Sequence, residues 1–251
     1  MYIEQGGEGP DLLVMLHGLG ATAAVWSPMR EQASERWHGR WLAMDLPGHG
    51  QSAPQDAYAI GQYAASVARS MLSHVDPVGR LVVLGHSLGG VIALALATGW
   101  FGVAPHRVFG VGIKVAWSDD ELQRMEKMAV QPARYFATQA EALDRYLKVS
   151  GLAGNAGAES SVAMRGILQD AQGWRLAMDP RAFGVGKPPV AELMSLARCS
   201  VHLGRAGADA LVTREQLRAV DPRADELGPH GHNVMVEAPT QVWDWMDAHS
   251  K

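Results

Sequence analysis

A lone serine stands between two of the most apolar stretches of the chain, in LVVLGHSLGGVIALALA (residues 81–97). The apolar residues before it read as a buried strand, and the Leu- and Ala-rich run after it as a helix. Gly85 and Gly89, two positions to either side of Ser87, permit a turn so tight that larger side chains would collide with strand and helix. Such a turn pushes the hydroxyl outward, and the helix N-terminus behind it supplies N–H groups and a partial positive charge. G-x-S-x-G in this setting describes a nucleophile elbow, and the chemistry it suits is attack by Ser87. The competing use is a glycine-rich turn with a capping serine.

A hydroxyl attacks only when a base takes its proton, and the base needs an orienting acid. Of ten histidines, His232 in GPHGHNVMVEAP is the strongest base candidate, in a loop between a short strand and the last helix. His230 in the same loop competes with it. His86, inside the elbow, is expected to point away from Ser87, and His17 in LHGLG is expected to be structural. For the acid, Asp209 in VHLGRAGADALVT follows a strand among small residues. Asp119 and Asp120 are alternatives at the neighbouring strand end, with helix capping in WSDDEL as their other use. An oxyanion formed by attack on a carbonyl requires two donors. The N–H of Leu88 is one. The N–H of Leu19 in HGLG is the other, since Gly18 and Gly20 let the backbone turn inward.

These groups need a rigid frame. DLLVMLHG (11–18), RWLAMDLPG (40–48), RLVVLGH (80–86) and RVFGVGIKVAW (107–117) read as buried strands, with helical spacing between them at 21–37, 59–75 and 87–101. Strands apolar throughout and separated by helices predict an α/β fold with a parallel sheet covered on both faces. From Ser118 to Pro189 the alternation stops. SDDELQRMEKMA, TQAEALDRYLKVSGL and SVAMRGILQDAQGW read as helices, GNAGAESS (154–161) as a flexible connection, and no strand is predicted there. A helix at VAELMSLAR, a strand at CSVHLGR, a helix at TREQLRAV, a short strand near DELG and a helix at TQVWDWMDAH complete the chain. The expected organisation is a core of residues 1–117 and 190–251 with a helical cap of residues 118–189. That cap would lie over the C-terminal strand ends, where open α/β sheets bind ligands.

HGLG, DLPGHGQS (45–52), GHSLGG, the Asp209 segment and GHNVMVEAP occur in an order that resembles the α/β-hydrolase superfamily, over nearly the whole chain. The resemblance implies a mostly parallel sheet, a helical cap and a Ser87–His232–Asp209 triad. It makes DLPGHGQS structural, with Asp45 and His49 stabilising a loop beside the site. Two features depart from the pattern: the leading antiparallel strands are abbreviated, and the loop around Asp209 is long.

Serine at the elbow argues against epoxide opening and dehalogenation, for which the family uses aspartate. It favours acyl transfer, with small or medium carboxylic esters or lactones as substrates. Hydrolysis of a carbon–carbon bond beside a ketone is the near alternative, and a receptor-like protein without turnover is the alternative of another class. In the cap, Met125, Met128, Phe136 and Trp174 are candidate substrate-binding residues, although such side chains also serve as ordinary packing. Lys114 could meet an anionic group or pair with an acidic neighbour.

Composition narrows the remaining options. Hydrophobic residues make up 47% and charged residues 19%, enough apolar content for a substantial core. Lys plus Arg (22) nearly balances Asp plus Glu (26) without long blocks, so neither nucleic acid nor an anionic membrane is an expected partner. Cys199 is the single cysteine, and it leaves no intramolecular disulfide to form. No secretory signal is visible and the longest apolar run is too short for a bilayer, so the expectation is a cytoplasmic protein. The expected partner is a small-molecule substrate, self-association to a homodimer stays open, and neither metal nor organic cofactor is expected.

Overall fold

Strands form where the apolar runs are uninterrupted. The computed structural model describes residues 1–155, 157 and 160–250; Ala156, Ala158 and Glu159 of the predicted connection lie outside them. The strands are β1 (Ile3–Gly6), β2 (Leu12–Leu16), β3 (Arg40–Met44), β4 (Leu81–His86), β5 (Arg107–Val111), β6 (Ile167–Asp170), β7 (Gly173–Leu176), β8 (Ser200–Arg205) and β9 (Asp225–Glu226). Seven form one sheet in the order β1-β3-β2-β4-β5-β8-β9, parallel throughout except for β1 against β3. At that edge stands the four-residue β1, the one antiparallel strand of this sheet among the described residues.

The α-helices are α1 (Ser27–Glu31), α2 (Ala33–Arg36), α3 (Ile60–Met71), α4 (Leu88–Ala97), α5 (Asp119–Ala129), α6 (Gln139–Val149), α7 (Ser161–Met164), α8 (Val190–Leu196), α9 (Arg214–Val220), α10 (Val234–Glu237) and α11 (Pro239–Ala248). Alternation along β2 divides the core into two layers. Leu12, Val14 and Leu16 pack with Tyr63 of α3 and Leu94 of α4, while Leu13 and Met15 pack with Trp26, Met29 and Trp243 on the opposite face. All ten residues of α4 are buried, because β4 and β5 cover one side and α3 and α8 the others. That burial anchors the helix whose first residue follows Ser87.

Strand β2 has β3 on one side and β4 on the other, so the chain leaves it in one direction and returns past it to build the rest of the sheet. At such a switch point the loops beyond the strand ends diverge and open a crevice. Here those loops begin at His17 and Ser87.

Between 118 and 189 the structure corrects the strandless expectation. The stretch predicted as one helix is a single turn, α7, followed by the antiparallel hairpin β6–β7. The Asp170 carboxylate accepts a hydrogen bond from the Gln172 N–H (2.9 Å), and Gly173 has φ +125°. An Asx turn followed by a glycine in that conformation cannot continue a helix. The predicted helix at 21–37 is likewise broken into a 3-10 turn (Ala23–Trp26), α1 and α2. Among the described residues no helix is long and apolar enough to cross a membrane.

Candidate active site

Ser87 has φ 50° and ψ −114°, the one positive φ outside glycine among the described residues. A residue held there is strained, and the surrounding packing must enforce it. The glycines show how. A β-carbon on Gly85 would lie 2.3 Å from the Gly89 carbonyl oxygen, and one on Gly89 would lie 2.1 Å from the Leu16 carbonyl oxygen. Strand, helix and turn therefore touch backbone to backbone. The Ser87 side chain makes no capping hydrogen bond to α4, which removes the capping-serine reading.

Ser87 lines a cavity of about 500 Å³ together with Leu19, Leu88 and His232. The His232 ring donates from Nδ1 to Asp209 Oδ2 at 2.9 Å, and the Asp209 side chain is fully buried. Because a carboxylate only accepts, this bond fixes the tautomer and leaves the Nε2 lone pair on a residue of the same cavity. The other Asp209 oxygen accepts from the Leu211 N–H at 2.9 Å. Arg205 at the end of β8 organises the long loop. Its guanidinium donates to the carbonyls of Val212 (2.8 Å), Gly207 (3.0 Å) and Asp209 (3.2 Å) and to Glu226 (2.8 Å). Gly112 (φ +64°) closes over the pair, since a β-carbon there would lie 3.2 Å from the His232 ring and 3.4 Å from Asp209 Oδ2. The N–H groups of Leu19 and Leu88 donate to no other group among the described residues.

A profile of the alpha/beta hydrolase family matches residues 13–245. The chain belongs to that family. Among curated relatives, the dihydrolipoyllysine-residue acetyltransferase component of the acetoin cleaving system of Pseudomonas putida is 34% identical over 113 residues, 45% of this chain and 28% of that protein. The pimeloyl-[acyl-carrier protein] methyl ester esterase of Nitrosomonas europaea is 39% identical over 108 residues, 43% of this chain and 38% of that protein. The matches thus span well under half of each relative's length. Among solved structures, the thioesterase domain from the curacin biosynthetic pathway superposes with a TM-score of 0.78 at 18% identity, over 97% of this chain and 93% of that one. At that identity the likeness concerns the fold alone.

In this alpha/beta hydrolase, Met125 and Met128 of α5 line the cavity, whereas Phe136 and Trp174 do not. Those two pair backbone to backbone (Phe136 N–H to Trp174 O, 2.7 Å) and pack into the layer around Tyr146. The hairpin that replaces the predicted helix turns them there. The cavity walls instead include Trp117, Val149, Phe183 and Leu211. His230 does not line the cavity, and Asp119 and Asp120 sit in the first turn of α5 behind a Ser118 capping box. Lys114 lines the cavity while its ammonium pairs with Glu121 and lies 4.7 Å from the Trp117 ring centroid. The Lys114 hydrogen bond, with Ser118, holds the Glu121 carboxyl down to about 2.

His86 is among the residues lining the cavity, and its buried ring packs against His232. It donates from Nε2 to the His232 carbonyl (2.9 Å) and lies 4.5 Å from that ring. His17 donates from Nδ1 to the Gly18 carbonyl (2.8 Å) and accepts from the Leu46 N–H (2.9 Å), which ties the loop after β2 to the one after β3. Asp45 accepts from the N–H groups of Ala23 (2.7 Å) and Gln51 (2.9 Å). Burial holds the imidazole of His17 down to about 4 and that of His49 to about 3, and it pushes His86 well below the ordinary value of 6.5. These rings are neutral when folded and free to charge when unfolded, so the unfolded chain binds more protons between 6.5 and the lowered values. Stability is full above about 6.5 and is lost as pH falls toward 4. The urea midpoint is expected to drop across that window, with roughly three to four protons taken up on unfolding near pH 5, since burial also holds His202 down to about 4. A flat midpoint would mean that the folded protein carries these rings charged.

Proposed function

We propose that this chain is a serine hydrolase of small or medium carboxylic esters or lactones, acting through an acyl-enzyme on Ser87. The observation that carries the reading is that one cavity is lined by a strained, uncapped serine, by an imidazole oriented by a buried carboxylate, and by Leu19 and Leu88, whose N–H groups have no acceptor among the described residues. The Ser87 oxygen attacks the carbonyl carbon and its proton passes to His232 Nε2. The N–H groups of Leu19 and Leu88 face the oxygen on which charge develops. His232 returns the proton to the leaving alkoxide, and Asp209 stabilises the imidazolium between these steps. Water then attacks the ester on Ser87 by the same route, releasing the acid and restoring the hydroxyl.

The mostly apolar walls suit an uncharged acyl or alcohol group, and the two lysines of the lining are ion-paired, Lys114 with Glu121 and Lys148 with Asp144. Residues 118–189 act as the cap, since α5 and α6 supply Met125, Met128 and Val149 to the cavity. Ester cleavage by the Nitrosomonas relative, as its name states, supports the choice of bond. Treatment with an organophosphonate ester is expected to modify one residue, Ser87, with stoichiometric loss of activity against p-nitrophenyl esters. Labelling elsewhere, or full activity after labelling, would overturn the assignment.

A further inference from the structure

His232 is held from both sides of the cavity. On the sheet side, His86 donates to its carbonyl and Asp209 accepts from its ring. On the other side the grip falls on its neighbour. Asn233 is fully buried, and its amide nitrogen lies 2.9 Å from the Gly151 carbonyl oxygen and 3.2 Å from that of Ser150. Two carbonyl oxygens can be met only by the NH₂ end of an amide, so the chemistry fixes its orientation. Ser150 is the C-terminal cap of α6, where the last carbonyls of a helix lack partners within it. Asn233 therefore completes the end of a helix that belongs to the other segment of the chain.

Three further observations make this a built contact. Gly151 has φ +71°, and a β-carbon there would lie 3.0 Å from the Asn233 nitrogen and 3.8 Å from His232 Cδ2. The turn is thus tight against the Asn233 amide, while the His232 ring stands at ordinary contact distance. Glu237 ties the same two loops a second time, accepting from the Gly231 N–H (2.8 Å) and from the Asn155 amide (2.9 Å). Finally, Asn233 Oδ1 is buried without a partner among the described residues. Leucine would fill the same space without stranding an acceptor, so volume alone does not account for an amide.

We propose that Asn233 is a positioning residue that latches the C-terminal end of α6 to the loop of the base. Ser150 and Gly151 line the cavity, so the wall they form and the imidazole of His232 keep or lose their places together. The inference rests on His232 being the base. Loosening the latch changes where the imidazole stands relative to Ser87 more than it changes the apolar walls, so it acts on kcat rather than KM.

The test uses Asn233→Ala, Gly151→Ala and the double variant. Two readouts apply: ester kinetics, and the low-field proton NMR signal of the hydrogen between His232 Nδ1 and Asp209. Asn233→Ala is expected to lower kcat roughly tenfold or more with KM little changed, and to broaden the proton signal through faster exchange with water. Gly151→Ala, which drives a β-carbon at the amide, is expected to act in the same way alone. It should lower kcat by less than about a further twofold in the Asn233→Ala background, because the contact it disturbs is already gone, whereas the strain of alanine at φ +71° costs stability equally in both backgrounds. Effects that multiply independently, or a kcat and proton signal like those of the parent, would overturn the latch. Should Asn233→Ala fail to fold, Gly151→Ala decides through the proton signal alone. If the parent turns over no ester, the functional reading fails, yet the signal still reports on the latch.

Discussion

Ser87→Ala is expected to lower kcat/KM for a reactive ester by roughly 10⁴- to 10⁶-fold while the protein stays as stable as the parent. The two halves of that result have separate causes. On the proposed mechanism the Ser87 hydroxyl forms the acyl-enzyme, so its removal leaves at most attack by water beside the two N–H donors. Stability is spared because the Ser87 oxygen caps nothing, and alanine carries the same β-carbon into the same positive-φ conformation. A structural serine would behave in the opposite way, costing stability and leaving turnover intact. KM is expected to change little, since walls such as Met125, Met128 and Trp117 are untouched. Asp209→Asn, assayed alongside, should fall by about 10⁴-fold, because the amide favours the wrong tautomer of His232. Full turnover by Ser87→Ala would place the chemistry elsewhere.

How much of this could be read without coordinates depended on how local the causes are. The elbow is local: strand, glycine, serine, glycine and helix lie in one stretch, and β4, Ser87 and α4 appear where the apolar runs put them. Asp209 and His232 lie 23 residues apart, and what brings them together is the parallel placement of β9 beside β8, since the loops that follow these two strands carry His232 and Asp209. Family membership followed from those landmarks in their order along the chain. The cap was another matter. Residues 161–174 carry apolar spacing that a helix could use, and only the Asp170 turn with Gly173 beyond it decides for a hairpin. Once that element changes type, Phe136 and Trp174 face the layer around Tyr146 instead of the cavity. The residues that steady the site, Arg205 and Asn233, carry no motif. Glu226 apart, their partners are carbonyl oxygens, and every residue has one of those.

Gly89→Ala is expected to have the largest effect on folding, and Gly61→Ala is its control. At position 89 the new β-carbon would lie 2.1 Å from the Leu16 carbonyl oxygen and 2.7 Å from that of His17. Even a weak C–H···O contact needs about 3.3 Å. Both clashing atoms are backbone, at the end of a fully buried central strand, so no rotamer change relieves them. The start of α4 would have to lift from β2, and a cost of about 3 kcal/mol or more follows, above the usual range for an overpacked side chain. The same movement would carry the Leu88 N–H away from the Leu19 N–H, so whatever folds should lose turnover as well. At position 61 the added carbon would meet nothing within 4 Å, on the exposed side of α3. There the methyl only restricts the unfolded chain, and a gain of about 0.5 kcal/mol is expected. Urea melts of the two variants should therefore shift in opposite directions from the parent. If Gly89→Ala melts with the parent, the backbone contact between α4 and β2 is not what holds Ser87 in its strained turn.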